Sequence, residues 1–267
     1  MPSFATIATA ALAAIIPAVS AHGHISEVTN AAGKTYKSGP GWFYNQPNPE
    51  FADSVGWFAK NQDNGFVDPS MYETTSNLAC HIDATVAPNF VEAKAGSTIK
   101  LQWGDAWPES HHGPVINSLA RVNNGFKNAK AGDLDFFKIS QKGLIDGSVA
   151  PGKWASDELI ANGNSWEVKI PDNIQGDFVM RHEIIALHGV PQNYPQCINI
   201  KIAATNGNAM PCKENPGLCH KGKGLYLESK AGQTHPIYSA PVAPYNIPGP
   251  KGVFGQLQKR VAQVFKA

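Results

Sequence analysis

Apolar and polar residues alternate with a period of two in several short stretches of this chain. Residues 97–103, 165–170, 178–188 and 198–202 follow it, the last with Ile198, Ile200 and Ile202 on one face. Side chains of a strand point alternately to its two sides, so this period predicts β-strands with one face turned to a core. Clusters of Gly, Pro, Asn and Asp between them predict turns and loops. The one good helical signal is short, over residues 156–161, where Ser156 can cap the N-terminus and Gly163 follows the end. Many strands, long loops and a few short helices predict an all-β fold. The expected form is an antiparallel, immunoglobulin-like or fibronectin-like β-sandwich whose end loops carry function.

The two ends of the chain break this pattern. Residues 4–19 are apolar and uncharged and lead into Val19-Ser20-Ala21, small residues at the positions a signal peptidase reads. Residues 1–21 are therefore expected to be a secretory signal, and cleavage makes His22 the first residue of an extracellular protein. Residues 22–250 form a single domain, without internal repeats or a linker to a second one. Residues 251–267 form a C-terminal tail, in which Phe254, Leu257, Val261, Val264 and Phe265 fall near helical spacing.

Charge adds an exclusion. The 267 residues hold 22 Lys and Arg against 21 Asp and Glu, a net charge of +1, so no basic excess points to nucleic acid. Apart from the N-terminus no apolar run approaches the ~20 residues of a membrane helix. A monomer without a transmembrane segment is expected.

Four cysteines, Cys80, Cys197, Cys212 and Cys219, suit an oxidising compartment and allow three pairings. Cys212 and Cys219 flank a turn-forming stretch that invites a local bridge. Cys80–Cys197 would then close a long loop, contributing about 4–5 kcal/mol in the chain-entropy model. A zinc site drawing on His81 and His220 is the alternative, although no C-x-x-C pair supports it.

The candidate chemistry lies in histidines. A chain that begins at His22 offers its α-amine and its imidazole to the same metal ion, and an amine of reference pKa about 7.7–8.0 can lose its proton to a metal near neutral pH. One further imidazole completes three nitrogens, a tetragonal set that suits Cu(II). The loop Trp107-Pro108-Glu109-Ser110-His111-His112-Gly113-Pro114-Val115 supplies two candidates, of which one would face the metal and the other the surface. A third cluster places His182 and His188 on one strand face, with Tyr194 close behind. Within it, Glu183 reads as the ion-pair partner of Arg181.

Together these segments resemble the copper-dependent lytic polysaccharide monooxygenases of auxiliary activity family nine, formerly glycoside hydrolase family sixty-one. The resemblance runs from His22 to about Pro250. It rests on His22-Gly23-His24, Ser110-His111-His112-Gly113-Pro114-Val115, Trp154-Ala155-Ser156-Asp157, Arg181-His182-Glu183-Ile184-Ile185-Ala186-Leu187-His188 and Gln192-Asn193-Tyr194-Pro195-Gln196-Cys197-Ile198-Asn199, in the family's order.

The resemblance implies one copper per chain, held by His22 through amine and ring, by His111, and axially by Tyr194. His188 and Gln192 match the pair that hydrogen-bonds oxygen species at copper, whereas His112 matches a variable position without a role. Cys80–Cys197 matches the family disulfide, and Cys212–Cys219 is a local addition. Tyr238, with Phe43 and Tyr44 as weaker candidates, matches aromatic residues that stack on sugar rings. The implied activity is oxidative cleavage of β-1,4-bonds at C1 or C4 in crystalline or soluble β-glucan. Cellulose is the expected polysaccharide, with hemicellulose a second candidate. O2 or H2O2 is the co-substrate, and electrons come from an external donor.

Overall fold

The structure, a computed structural model, describes residues 23–39, 42–43, 46–61, 65–72, 76–104, 106–203, 208–223, 225, 234–250 and 252. His22, Tyr44, the signal segment and the rest of the tail lie outside these residues, as does the side chain of Phe43. The strands of the first half are β1 (Ile25–Thr29), β2 (Thr35–Lys37), β3 (Trp42–Phe43), β4 (Gln46–Pro47), β5 (Val91–Lys94), β6 (Thr98–Trp103) and β7 (Val115–Arg121). Those of the second half are β8 (Asp135–Lys142), β9 (Leu144–Asp146), β10 (Lys153–Trp154), β11 (Ser165–Lys169), β12 (Gly176–Ala186), β13 (Gln192–Ala203) and β14 (Cys219–Lys221). Among the described residues three short α-helices accompany them: α1 (Asn77–Cys80), α2 (Ala155–Ala161) and α3 (Pro211–Glu214).

Two sheets make the sandwich. One has the order β11-β6-β1-β2 and the other β14-β8-β7-β12-β13-β5, while β9 and β10 pair as a small ribbon beyond the end of β8. All pairings in the larger sheet are antiparallel except β13 with β5, which is parallel. Between the sheets lies a core to which Ile25, Val28, Ile99, Leu101 and Trp103 contribute from one side and Leu119, Phe178, Met180, Ile184, Ile198, Ile200 and Ile202 from the other. The shared face expected for Ile198, Ile200 and Ile202 is thus the core face.

A second core covers the opposite face of the larger sheet. There Ile116, Ala120, Phe136, Val179 and Ile185 meet Trp57, Val67, Leu78, Ile237 and Val242 from loops and a C-terminal strap. This double cover explains why β7 and β8 were not legible as strands. β7 is buried along its length apart from Arg121, so it reads as a continuous apolar run with no alternation. β12 was expected over residues 178–188, but it ends at Ala186 and leaves His188 in the following turn. His188 therefore does not share the strand face of His182.

The expected helix exists with a different start. α2 begins at Ala155, with Trp154 in the N-cap position, and the Asp157 carboxylate accepts the Trp154 backbone N–H at 2.7 Å. Ser156 does not cap the helix, because it is fully buried and its hydroxyl accepts the N–H of Gly113 instead. Both disulfides form, Cys80–Cys197 and Cys212–Cys219, which removes the zinc alternative.

On the second core face Arg181 and Glu183 form a bidentate pair, with both N···O distances 2.7 Å and both side chains essentially without solvent exposure. The same guanidinium donates to the carbonyls of Leu78 and Ala79, which are left over at the end of α1. Glu183 also accepts from Asn193, which in turn accepts from the Tyr72 hydroxyl. Removing one charge strands the other in a dry site, a loss of about 3–5 kcal/mol. Glu183→Leu should lower stability by that amount in denaturant titrations, and Arg181→Met with Glu183→Leu should lose clearly less. Equal losses in the single and double variants would show that the charges are not coupled.

Candidate functional site

The pairings of Val115 with Lys142, Val115 with Ile184, and Ala186 with Gln192 bring four strand ends together at one end of the sandwich. The loop between β6 and β7 crosses this end, and the sequence anchors it residue by residue. Gly104 N–H bonds the carbonyl of His24, so the N-terminal segment reaches the start of this loop. The Asn164 side chain, in the left-handed turn after α2, accepts the Trp107 backbone N–H at 2.8 Å. Trp107 itself is buried, and its indole N–H holds the carbonyl of His111 at 2.9 Å. Nothing in the sequence pattern marks Trp107 or Asn164 for this task.

Gly113 is required for the approach that follows. A Cβ built there would lie 1.7 Å from the carbonyl oxygen of Ile185, so only glycine lets the loop meet the end of β12. His111 and His112 then point to different neighbours, as expected of adjacent histidines. The His111 ring packs edge-on against Trp107, with centroids 5.7 Å apart, and stands 4.0 Å from the ring of His188. Ser110 Oγ lies 3.2 Å from its Nδ1. His112 turns to α2, placing Nδ1 2.9 Å from Asp157 Oδ1.

Tyr194 and Gln192 share the core face of β13, two residues apart. The Tyr194 hydroxyl donates to Gln192 Oε1 at 2.8 Å, and its ring stands edge-on to Trp107 with centroids 4.9 Å apart. His111 and Tyr194 therefore pack on Trp107 at one end of the sandwich, with His188 against His111 and Gln192 bonded to Tyr194. Among the described residues no group of three His, Cys, Asp or Glu side chains is arranged to hold a metal, and His22 lies outside them.

His182 belongs elsewhere. Its ring is fully buried between the sheets, where Nε2 accepts the indole N–H of Trp103 at 3.2 Å and Nδ1 lies 2.7 Å from Asn117 Oδ1. An indole can only donate, so Nε2 carries no proton and Nδ1–H donates to Asn117. His81 is fixed in the same way, since the Ile82 N–H reaches its Nδ1 and Gly65 O takes its Nε2–H.

Tyr238 is 63% exposed, on a strap that Val242 N–H ties to Gly147 O and Lys138 Nζ to Pro248 O. Burial lowers the Lys138 pKa to about 8. Rings of His235 and Tyr245 pack the same strap onto Trp154, next to α2. Ile145, Val149 and Val190, the other exposed large apolar side chains among the described residues, lie in the ribbon and turn at this same end.

A family model, Auxiliary Activity family 9 (formerly GH61), matches residues 22–245. The chain belongs to auxiliary activity family 9. Among its AA9 relatives, lytic polysaccharide monooxygenase F of Malbranchea cinnamomea is 46% identical over 250 residues, covering 91% of this chain and 96% of that protein. Lytic polysaccharide monooxygenase D of Podospora anserina is 44% identical over 261 residues, covering 94% of this chain and 71% of its own length. The solved extended catalytic domain of H. jecorina LPMO9A superposes with a TM-score of 0.75 at 40% identity, covering 87% of this chain and 91% of that one. The all-β sandwich expected from the sequence is the fold of this AA9 chain, and no helix among the described residues is long and apolar enough to cross a membrane.

Two of the buried histidines, His81 and His182, give the AA9 sandwich an acid limit. Burial holds His81 down at about 4, and burial, with a smaller contribution from the Arg181 charge, holds His182 at about 3. The unfolded chain, with a pKa near 6.5, binds protons that the folded one refuses, so stability rises with pH through this window. The full contribution is present above about pH 6.5 and declines as the pH falls toward 4, by about 1.4 kcal/mol per unit for each histidine. The melting midpoint should drop over that interval, and less steeply in a His182→Gln variant. A midpoint that stays flat from pH 6.5 to 4 would contradict this account.

Proposed function

We propose that this chain is a secreted, copper-dependent monooxygenase that oxidatively cleaves β-1,4-glucan at C1 or C4, with cellulose as its main substrate. The observation that carries the reading is the convergence of His111 and His188, rings 4.0 Å apart, beside the hydrogen-bonded pair of Tyr194 and Gln192. Its donors are imidazole and phenol, without carboxylate or thiolate. Asp157 is engaged by His112, Glu183 by Arg181, and all four cysteines by each other. Such a set fits copper better than calcium, magnesium or a thiolate-bound zinc.

In this reading His22 binds through amine and ring and His111 through Nε2, since Ser110 meets its Nδ1. The family match beginning at His22, and the arrival of His24 at Gly104, support a mature chain that starts there. Bound copper, reduced by an external donor, supplies the one-electron activation of O2 or H2O2 that side chains alone cannot provide. The residues do the rest. The Tyr194 hydroxyl donates a hydrogen bond to Gln192 Oε1, which fixes the phenol and leaves the Gln192 amide N–H as a donor, and Tyr194 would hold the copper together with His22 and His111. His188 and that amide would orient the O2 or H2O2 co-substrate by hydrogen bonds, and the His188 ring would hold a proton for it. Trp107 and Phe66 close the inner side of Tyr194 to water. Tyr238 and its exposed apolar neighbours offer a surface to sugar rings.

Copper capture without oxidation needs neither His188 nor Gln192. A hydrolase needs two available carboxylates, whereas Asp157 and Glu183 are each committed to a partner. Mass spectrometry of soluble products from cellulose, with and without ascorbate, separates the three. Aldonic acids or C4-ketones that depend on ascorbate are expected. Plain reducing ends would mean hydrolysis, and copper binding without products would mean capture. His188→Ala and Gln192→Ala should keep copper affinity within about 10–100-fold, while oxidised product per bound copper falls roughly 10²–10³-fold. N-terminal sequencing of secreted protein should begin at His22.

A further inference from the structure

We propose that His112 and Asp157 form a positioning pair that fixes the separation of His111 and His188, an inference that rests on the copper reading above. His112 sits one residue after His111, and its backbone carbonyl accepts the N–H of Leu187 at 2.9 Å, one residue before His188. The peptide of residue 112 is thus the link through which the two site histidines are joined. A shift of this peptide would reach both segments.

The N–H of the same peptide, from Gly113, is held by Ser156 Oγ, and the His112 side chain adds a further tie to α2. His112 Nδ1 lies 2.9 Å from Asp157 Oδ1, and the pair is largely buried, with 17% and 24% of the side chains exposed. The other carboxylate oxygen, Oδ2, accepts the Trp154 N–H at 2.7 Å, so the first turn of α2 holds the carboxylate in place. Around it Gly113 N–H reaches Ser156 Oγ at 3.0 Å, and Ser156 N–H reaches Gly113 O at 3.2 Å. Ile185 N–H reaches Pro114 O at 3.2 Å, which extends the β7–β12 ladder toward the loop. These neighbouring bonds fix residues 113 and 114, and among the described residues the His112–Asp157 contact is what ties the side chain of residue 112 to the helix. Neither group is among the copper ligands of that reading. They act through His111 and Leu187.

The test compares His112→Ala, His112→Asn, Asp157→Ala and the His112→Ala, Asp157→Ala double variant in the full mature chain. Asparagine is chosen because its Nδ2 can donate to Asp157 from nearly the place of the imidazole Nδ1. In metal-free protein, amide exchange at Leu187 should rise roughly 5–10-fold in His112→Ala, the effect of one net hydrogen bond. It should return toward wild type in His112→Asn and be no faster in the double variant than in Asp157→Ala. Cu(II) affinity by calorimetry should fall about 10–100-fold in His112→Ala, with a changed copper EPR spectrum, and both should recover in His112→Asn. Unchanged exchange at Leu187, or an asparagine variant no better than alanine, overturns the proposal. So does a lower melting temperature with copper affinity and EPR spectrum intact, which is the signature of a merely structural pair. Failure of the wild-type protein to bind Cu(II) would refute the copper reading instead, and the exchange measurements would still decide the pair.

Discussion

The molecule depends on one constraint: its larger sheet is covered on both faces, so every polar group placed there must find a partner inside the protein. Arg181 and Glu183 meet it on the second face. Their bidentate pair also takes up the terminal carbonyls of α1 and the Asn193 amide. The Cys80–Cys197 bridge joins the same helix to β13. Loops that would otherwise lie free on a sheet are thereby held as a second layer. A sheet edge or loop without such partners would pay for each buried polar group that lacked a hydrogen bond.

A further set of buried contacts holds the end of the sandwich. His111 and His188 belong to a loop and a turn, elements that are ordinarily mobile. Here the Trp107 indole, the Asn164 amide, Ser156 and the Gly113 contact with Ile185 fix the loop through backbone groups. Such precise support is what a metal or oxygen-binding site needs, because orientation of its ligands comes largely from groups that never touch the metal.

Four histidines fall into three environments. His182 and His81 are buried with both nitrogens assigned by rigid donors and acceptors, which keeps them neutral and makes them sensors of acid only through stability. His112 is paired with a carboxylate on a helix. His111 faces another imidazole across 4.0 Å. Residue type alone does not separate these roles; the hydrogen-bond partners do.

Much of this was legible in the sequence. Period-two alternation placed β6, β11 and the inward face of β13, because a strand with one wet or less buried side must alternate. The motif around His111 drew attention to the loop that crosses the end of the sandwich and meets His188, and the ion pair of Arg181 with Glu183 followed from two opposite charges in an apolar strand. The tertiary structure decided the rest. β7 and β8 are invisible to alternation because both of their faces are buried. The position of His188 past the end of β12 depends on where the turn to β13 begins. Ser156 left the role of helix cap because a loop distant in sequence took its hydroxyl. Local sequence sets the period and the charges of a segment, but which face is covered, and which distant group takes each hydrogen bond, exists only once the layers have packed.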